Sequence, residues 1–404
     1  MFEQARHLLR GQQDQLIIFF REGCEMDFDL TRDQRLIRDV VREFAQKEIL
    51  PRAKEIDRSG QFPLDIIKKL AEMDLMGLPF PEEYGGAGGD YVSYCLALEE
   101  ITRACASTGL TYEAHISLGC MPIYLFGTLE QKQKYLVPLC RGECLGAFGL
   151  TEPNAGSDAG GTQTTAVLEG DEWVINGSKC FITNASYARF ITITAVTDRS
   201  KGKRGISAFI VPADAPGLTI RAGYEKLGMS GSNTTELFFD NVRIPRENLL
   251  GQLNHGFKQF LQVLDGGRVA IAAMAVGIAQ ACLDAALEYA RQRTQFGQNI
   301  SRFQAVSFKL ADMATNIELA RNMYLKVAWL RDQGRPYTRE AAMVKLFASE
   351  MATRAALDAI QIHGGYGYMK EFSVERHLRD AKLLEIGEGT SEIQRLVISR
   401  ALGC

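Results

Sequence analysis

The chain has 404 residues, which at about 150 residues per domain is enough for two or three domains. Its 46 Lys and Arg residues nearly balance 49 Asp and Glu residues, and a formal charge of −3 argues against a nucleic-acid-binding protein. No uninterrupted apolar run approaches the ~20 residues of a membrane span, so we expect no span. The nine cysteines are scattered without a CxxC pair, which favours free thiols over a metal site or disulfide framework.

Residues 1–25 are predicted to be an N-terminal extension, either an overlong start of the reading frame or a loosely attached, disordered arm. They contain acidic as well as basic residues and neither Ser nor Thr. Mitochondrial transit peptides are rich in Ser and poor in acidic residues, so this composition argues against one. We therefore expect a bacterial, cytoplasmic protein, with the mitochondrial matrix as the alternative location.

The first folded domain is predicted to be helical and to span residues 26–145. Thr31 and Gln34 have the spacing of a capping box, and an apolar stripe with helical period follows until Pro51 interrupts it. Two further helices are predicted at residues 94–103 and 128–139.

The second domain, residues 146–250, has the short apolar runs that are typical of β-strands. Residues 172–182 are predicted to form a hairpin that turns at Asn176-Gly177. Because no helix separates the predicted strands, we expect an antiparallel barrel or sandwich. The further strands are predicted at residues 190–196, 207–211, 218–221 and 236–239.

The third domain, residues 251–404, returns to helical periodicity. Long helices are predicted at residues 257–292, 305–331 and 339–362. The predicted fold class is therefore α+β and mostly α.

The most informative block runs from Phe148 to Thr162 and is rich in small and hydroxyl-bearing residues. Exposed backbone N–H groups beside Thr151 and Ser157 suit a flat polar ring or a phosphate, whereas a plain surface loop is the alternative. The chain has neither of the glycine-rich nucleotide motifs GxxxxGK[ST] and GxGxxG, nor the zinc motif HExxH.

A series of sequence blocks resembles, in the same order, the signature blocks of the acyl-CoA dehydrogenase family. The resemblance covers residues 26–404, and it is specific because the blocks agree together. They are LTEPNAGSD at residues 150–158, WVINGSKCFIT at 173–183, the segment 227–245, RQRTQFGQNISRFQ at 291–304, QIHGGYGY at 361–368 and EGTSEIQR at 388–395.

The resemblance implies a β-barrel-like domain between two helical domains, the C-terminal one like a four-helix bundle, with bound FAD and assembly as a homotetramer. The implied reaction is the α,β-dehydrogenation of a saturated acyl-CoA to the trans-2-enoyl-CoA, as in the β-oxidation of fatty acids. A base takes the α-proton, flavin N5 accepts the β-hydride, and an electron-transfer flavoprotein receives the electrons.

Glu388 is the base that the resemblance implies, because it stands directly before the GTS of the last block. The chemistry requires a carboxylate whose basicity is raised by burial. Glu385 is a competing carboxylate, and a first-turn position at a helix N-terminus is the alternative role for Glu388. Some relatives carry the base before the Arg of a GGR sequence, where this chain has Gly267, and glycine cannot abstract a proton.

The resemblance also implies the remaining site residues. Arg268 is a candidate for the CoA portion, with an ordinary helix salt bridge as the alternative, and Arg293 and Gln304 are expected to reach the FAD of a neighbouring subunit. Phe181 stands where many relatives have Trp, and Glu392 stands where Gln is common. The implied substrate residues are Ser157, Leu264, Asp265, Gly267, Arg268 and Gly389. The implied cofactor residues are Phe148, Leu150, Thr151, Ser157, Phe181, Thr183, Arg293, Gln304, Gln361, Gly364, Gly365, Thr390 and Glu392.

Two other functions are compatible with these sequence motifs. One is an acyl-CoA oxidase, which passes electrons to oxygen, and the other is a non-catalytic protein that binds CoA esters. The length and branching of the acyl chain are not determined by these motifs, although short, branched or medium chains are favoured.

Overall fold

The computed structural model describes residues 29–221 and 223–404, and the predicted extension at residues 1–25 lies outside them. The chain runs through a helical part, a β part and a second helical part, as predicted, and it is mostly α. Within the described residues eight cysteines are free thiols, and no cluster of three or more His, Cys, Asp or Glu is placed to hold a metal.

The first helical part contains the predicted capping box, which is confirmed. The Thr31 N–H donates to Gln34 Oε1 at 2.9 Å, and the Gln34 N–H donates to Thr31 Oγ1 at 3.2 Å. Helices α1 to α8 span, in order, Arg32–Phe44, Ala53–Ser59, Leu64–Glu72, Tyr91–Ala104, Ala106–Glu113, Met121–Phe126, Leu129–Gln131 and Val137–Cys140. Three π-helical segments interrupt them at Ala45–Ile49, Ala114–Cys120 and Lys132–Leu136.

The β part forms one sheet whose strands follow the order β6-β7-β3-β2-β4-β5-β8, with β1 beside β4. The strands β1 to β8 span, in order, Leu145–Gly149, Thr165–Glu169, Glu172–Thr183, Ala188–Val196, Ile206–Pro212, Leu218–Ile220, Thr234–Pro245 and Leu249–Leu250. Pairing is antiparallel except that β1 runs parallel to β4, and β2 meets β4 in parallel at one residue pair. Trp173 and Phe209 meet edge to face at 5.1 Å in the buried core of this sheet.

The predicted hairpin turn at Asn176-Gly177 is wrong. Both residues lie inside β3, which continues without a turn, and the register against β7 shifts between Ile175 and Gly177. The extra residue lies on β7, where Asp240 and Asn241 stand opposite Asn176, so this is a β-bulge. Gly177 follows with a φ of +143°, a conformation that is unfavourable for other residues. The turn lies instead at Gly170-Asp171, which joins β2 to β3.

The C-terminal part is a helical bundle whose three long helices agree with the predicted ones to within one residue at each end. Helices α9 to α13 span, in order, Gly256–Gln292, Gln304–Asp332, Thr338–His363, Val374–Leu384 and Ser391–Ala401. The short strands β9 (Thr294–Gln295) and β10 (Gln298–Asn299) form a small ribbon between α9 and α10.

Helix α9 is the central helix, packing against α4, α10 and α11. By length and composition alone, this helix is long and apolar enough to cross a membrane. A search for uninterrupted apolar runs does not detect it, because Gln and charged residues break its apolar stretches. However, 72% of its most apolar window is buried inside the protein, as expected of a core helix. The helix carries Gly266, Gly267 and Arg268 into the interior.

Candidate active site

Glu388 lies in the loop between α12 and α13, in a backbone conformation that is unusual for its residue type. Its φ is +54°, in the left-handed region that favours glycine, so the loop holds it there against a local cost. Gln394 Nε2 donates to the carbonyls of Glu388 at 3.2 Å and Gly389 at 2.8 Å. Lys345 Nζ donates to the Gly389 carbonyl at 2.8 Å, so two buried side chains fix the loop.

The carboxylate of Glu388 lies against the backbone of α9 at Gly267. A Cβ atom at position 267 would lie 1.8 Å from Oε2 and 2.6 Å from Cδ of Glu388, which no real contact allows. The absence of a side chain at Gly267 therefore makes the space for the carboxylate. A side chain at position 267 would project to the point that the Glu388 carboxylate occupies. A base could therefore reach this point from position 267 or from position 388.

The environment of Glu388 favours a base that works near neutral pH. Both carboxylate oxygens are buried and have no hydrogen-bond donor among the residues that the structure describes. Burial raises the pKa of Glu388 to about 7, against the opposing effects of Glu113, Arg268 and Lys345. The same desolvation lowers the pKa of the Lys345 ammonium to about 8.

Glu113 is a second buried carboxyl group beside Glu388, and the resemblance did not point to it. It ends helix α5 and is 1% exposed, and neither oxygen has a donor within the described residues. Burial and the charge of Glu388 raise the pKa of Glu113 well above its ordinary value. A sequence signal exists, because Glu113 is the one Asp, Glu, Lys or Arg between Arg103 and Glu130.

The structure brings Gly267 and Arg268, two of the predicted substrate residues of α9, next to Glu388, but Arg268 has an internal partner. Its Nη1 donates to Asp265 Oδ1 at 2.6 Å, and Asp265 Oδ2 accepts from Thr338 Oγ1 at 2.7 Å. The alternative of a helix salt bridge is therefore present, while Nε of Arg268 is buried without a partner in the described part of the chain. Leu264 is half-buried on the same helix.

Replacing Gly267 with Ala should disable the site without unfolding the protein. The new methyl group occupies the carboxylate position and displaces it by about 1 Å or more, which is expected to slow the reaction roughly 100-fold. Stopped-flow reduction of the flavin that the resemblance implies, by an acyl-CoA, measures this rate. A double variant, Gly267→Ala with Glu388→Asp, shortens the acid and should recover part of the loss; an unchanged rate in the single variant contradicts the geometry.

The loop that follows β1 carries several predicted cofactor residues. Phe148 is buried and stacks on Phe260 of α9 with ring centroids 4.1 Å apart. Leu150 is also buried, and the carbonyl of the half-buried Thr151 accepts from the N–H of Cys180 at 2.9 Å. Ser157 is exposed near the tip of the loop. The start of the loop therefore lies against the sheet, and Ser157 farther along it is exposed to solvent.

A buried ion pair fixes this loop to the sheet. Lys179 on β3 is fully buried, and its Nζ donates to Glu152 Oε1 at 2.7 Å and to the Leu150 carbonyl at 3.2 Å. Burial alone raises the pKa of Glu152, but Lys179 and neighbouring donors lower it to about 2. Burial lowers the pKa of Lys179 to about 8, so both groups are charged at pH 7.

Phe181 shows the combination of strain and exposure that is common in binding sites. Its φ is +59° and its side chain is 63% exposed, with its ring 5.1 Å from that of Tyr224. Thr183 ends the same strand and pairs with Thr234 of β7. An aromatic face is therefore presented to solvent beside a hydroxyl-bearing strand end.

A separate groove of 590 Å³ contains another group of the predicted residues: Arg293, Gly364 and Gly365 all line it. Gly364 has a φ of +60°, and no atom lies within 4 Å of a Cβ placed on either glycine, so the backbone is open to a ligand. His363 also lines the groove, where its ring stacks on that of Tyr289 at 4.3 Å and its Nδ1 lies 2.8 Å from the Ala359 carbonyl.

The remaining predicted residues are absent from the lining of this groove, and most of them stand at helix ends. Gln304 and Gln361 are exposed at the ends of α10 and α11 and do not line the groove. Thr390 caps α13, where its Oγ1 accepts from the Ile393 N–H at 3.3 Å, and Glu392 is exposed in the first turn. Glu385 accepts from Lys382 Nζ at 2.6 Å and from the Thr353 hydroxyl, so this competing carboxylate is already paired.

Family models match three consecutive parts of the chain. They are the N-terminal, middle and C-terminal domains of acyl-CoA dehydrogenase, at residues 31–143, 147–242 and 254–403. Fold, site and matches together define a flavoprotein oxidoreductase that acts on a CH–CH group. The chain belongs to the acyl-CoA dehydrogenase family, whose members use FAD and dehydrogenate acyl-CoA thioesters.

Individual relatives agree over nearly the whole chain. The probable acyl-CoA dehydrogenase YngJ of Bacillus subtilis is 65% identical over 93% of this chain and 100% of its own length. The butyryl-CoA dehydrogenase structure from Megasphaera elsdenii has a TM-score of 0.92 and 46% identity over 94% and 100% of the two chains. A structure from work on the electron transferring flavoprotein of Acidaminococcus fermentans has a TM-score of 0.92 and 49% identity over 93% and 99%.

Proposed function

We propose that this protein dehydrogenates a short-chain acyl-CoA to the trans-2-enoyl-CoA, with Glu388 as the base that removes the α-proton. The observation that carries the proposal is the buried carboxylate of Glu388, which lies against Gly267 without a donor for either oxygen among the described residues. A carboxylate that lacks donors is free to accept a proton from a bound substrate. Its exclusion from water is the condition that makes a carboxylate basic enough for a weakly acidic α-carbon.

The proposed reaction removes one proton and one hydride from the substrate. The Cα–H bond breaks and its proton passes to Glu388, which becomes the neutral acid. The β-hydrogen leaves with its electron pair, and a C=C bond forms between the two carbons. FAD, when bound, supplies the acceptor for that hydride. The buried Arg268 and Lys345 favour the ionised form of Glu388 before the proton arrives.

The residues present fit FAD. The exposed ring of Phe181 and the hydroxyl of Thr183 suit the flat, polar isoalloxazine, beside the loop that holds Thr151. In the groove, a guanidinium from Arg293 and the open backbone of Gly364 and Gly365 suit a diphosphate. In a homotetramer, this groove would serve the cofactor of a neighbouring subunit.

The relatives support the substrate and the partner in this proposal. The butyryl-CoA dehydrogenase favours a short, straight acyl chain, and the structure from work on an electron transferring flavoprotein favours that kind of electron acceptor. The bacterial relatives favour a cytoplasmic enzyme. Oxygen consumption with substrate alone would instead identify an acyl-CoA oxidase.

The proposal is tested by adding saturated acyl-CoAs of increasing chain length to the purified yellow protein under anaerobic conditions. We expect rapid bleaching of the flavin with four-carbon substrates and slower bleaching as the chain lengthens. Steady turnover should require an electron-transfer flavoprotein. Bleaching that is fastest with long or dicarboxylic chains would overturn the substrate, and turnover with oxygen alone would overturn the partner.

The rate of flavin bleaching should increase with pH through neutrality. Glu388 acts in its ionised form, and a pKa of about 7 means that the fraction of active base falls about tenfold for each unit below that value. We therefore expect a rate near its plateau at about pH 8 and roughly tenfold lower at about pH 6. Single-turnover measurements across this range check the profile, and a flat profile down to pH 5 contradicts a raised pKa.

A further inference from the structure

We propose that Glu113 is a positioning residue for Glu388: it keeps a proton in the resting enzyme and donates a hydrogen bond to the Glu388 carboxylate. This proposal rests on the proposed role of Glu388 as base. It assigns a role to a carboxyl group that the motifs of the chain did not point to.

The first support is the burial of both carboxyl groups without donors. Four oxygens, two on Glu113 and two on Glu388, are buried, and none has a donor within the described part of the chain. Buried polar atoms are almost always paired, so an unpaired set of this size needs an explanation. The two groups lie close enough to bond to each other if one of them carries a proton, and that single proton pairs an oxygen on each side.

The surrounding charges decide which of the two carries the proton. Arg268 on α9 and Lys345 on α11 act on Glu388 and favour its ionised form. Glu113 has no cationic partner among the described residues; it faces Tyr94 on α4, Glu388 itself and Ser117 in the π-helical segment. Burial and Glu388 raise the pKa of Glu113 by more than the Ser117 hydroxyl lowers it. Two carboxylates in one buried site cannot both ionise at neutral pH, so the proton belongs on Glu113.

A neutral donor at this place suits the reaction better than a second charge. Negative charge develops on the thioester when the α-proton leaves, and an ionised Glu113 close to the base would oppose it. A protonated Glu113 instead orients the Glu388 carboxylate against Gly267 and stabilises its ionised form. The π-helical segment that starts at the next residue widens the turn here, a feature that is frequent at functional sites.

The test compares Glu113→Gln, which keeps a donor, with Glu113→Met, which has similar length and no donor. We expect the Gln variant to keep the pH midpoint of flavin bleaching and the Met variant to raise it by about one pH unit, the size of a lost hydrogen bond to an ionised group. Identical midpoints in all three proteins would show that Glu113 only fills space. A lower midpoint in the Gln variant would show that Glu113 is ionised in the wild type, and either result overturns the proposal.

A second measurement does not depend on the folding of the Met variant. An infrared difference spectrum of wild type minus Glu113→Gln at about pH 8 should contain the carbonyl stretch of a protonated carboxylic acid. Absence of that band overturns the proposal. Glu388→Gln is measured alongside: if it bleaches at the wild-type rate the proposed base is wrong, whereas a slow Glu388→Gln with unmoved Glu113 midpoints overturns only the role of Glu113.

Discussion

Replacing Glu388 with Gln is expected to slow flavin bleaching by a saturated acyl-CoA by ~10³-fold, within the range that a positioned general base contributes. The amide has the shape of the carboxyl group but cannot accept the α-proton. The φ of +54°, the bonds from Gln394 and the space over Gly267 do not depend on charge, so the loop should keep its conformation. Stopped-flow absorbance under anaerobic conditions measures the rate, and flavin content reports whether the site is intact.

The matched control is Glu385→Gln, three residues earlier. Glu385 is already paired with Lys382 and Thr353, so its loss should change stability slightly and leave the rate of bleaching near that of the wild type. If Glu388→Gln retains flavin and also bleaches as fast as the wild type, Glu388 is not the base. A large loss in the Glu385 variant alone would point to the other carboxylate.

Local sequence patterns predicted the three long helices of the C-terminal part well, because helical periodicity over about 25 residues is a strong signal. They failed at Asn176-Gly177, where the same dipeptide suits a tight turn and a bulge. The choice depends on β7, which pairs with both ends of β3 and keeps it continuous. That partner lies about sixty residues away, so no local rule contains it.

The sequence predicts only part of the candidate site, because residues that are distant in the chain meet there. A family motif makes Glu388 the candidate base, and the structure adds two properties that a base would need: burial against Gly267 and a raised pKa. Glu113 is the one Asp, Glu, Lys or Arg between Arg103 and Glu130, and Lys345 is an ordinary helix residue. Only the fold brings the two beside Glu388. Isolation of Glu113 from other charges was the available signal, but it does not say which group Glu113 faces.

Lys179→Met should lower the free energy of unfolding by about 3–5 kcal/mol, the usual cost of leaving one member of a buried ion pair without its partner. Lys179 Nζ bonds to Glu152, to the Leu150 carbonyl and to the Thr162 hydroxyl at 3.0 Å. The variant leaves the Glu152 charge buried and unpaired near the start of the loop. We expect a lower urea midpoint and a loss of FAD, because the loop that carries Thr151 is no longer fixed to β3.

The double variant Lys179→Met with Glu152→Gln separates charge from packing. Removing both charges should recover much of the lost stability, since no unpaired ion remains. The pH dependence gives an independent check: a pKa of Glu152 lowered from 4.5 to about 2 means that the pair stabilises the wild type above pH 4.5 and progressively less as pH falls toward 2. The double variant lacks this ion pair, so its stability should fall less steeply over that interval. Equal urea midpoints for the wild type and Lys179→Met would contradict this role of the ion pair. A buried ammonium with four acceptors within hydrogen-bond distance of its three N–H groups cannot be lost without cost if it holds the loop.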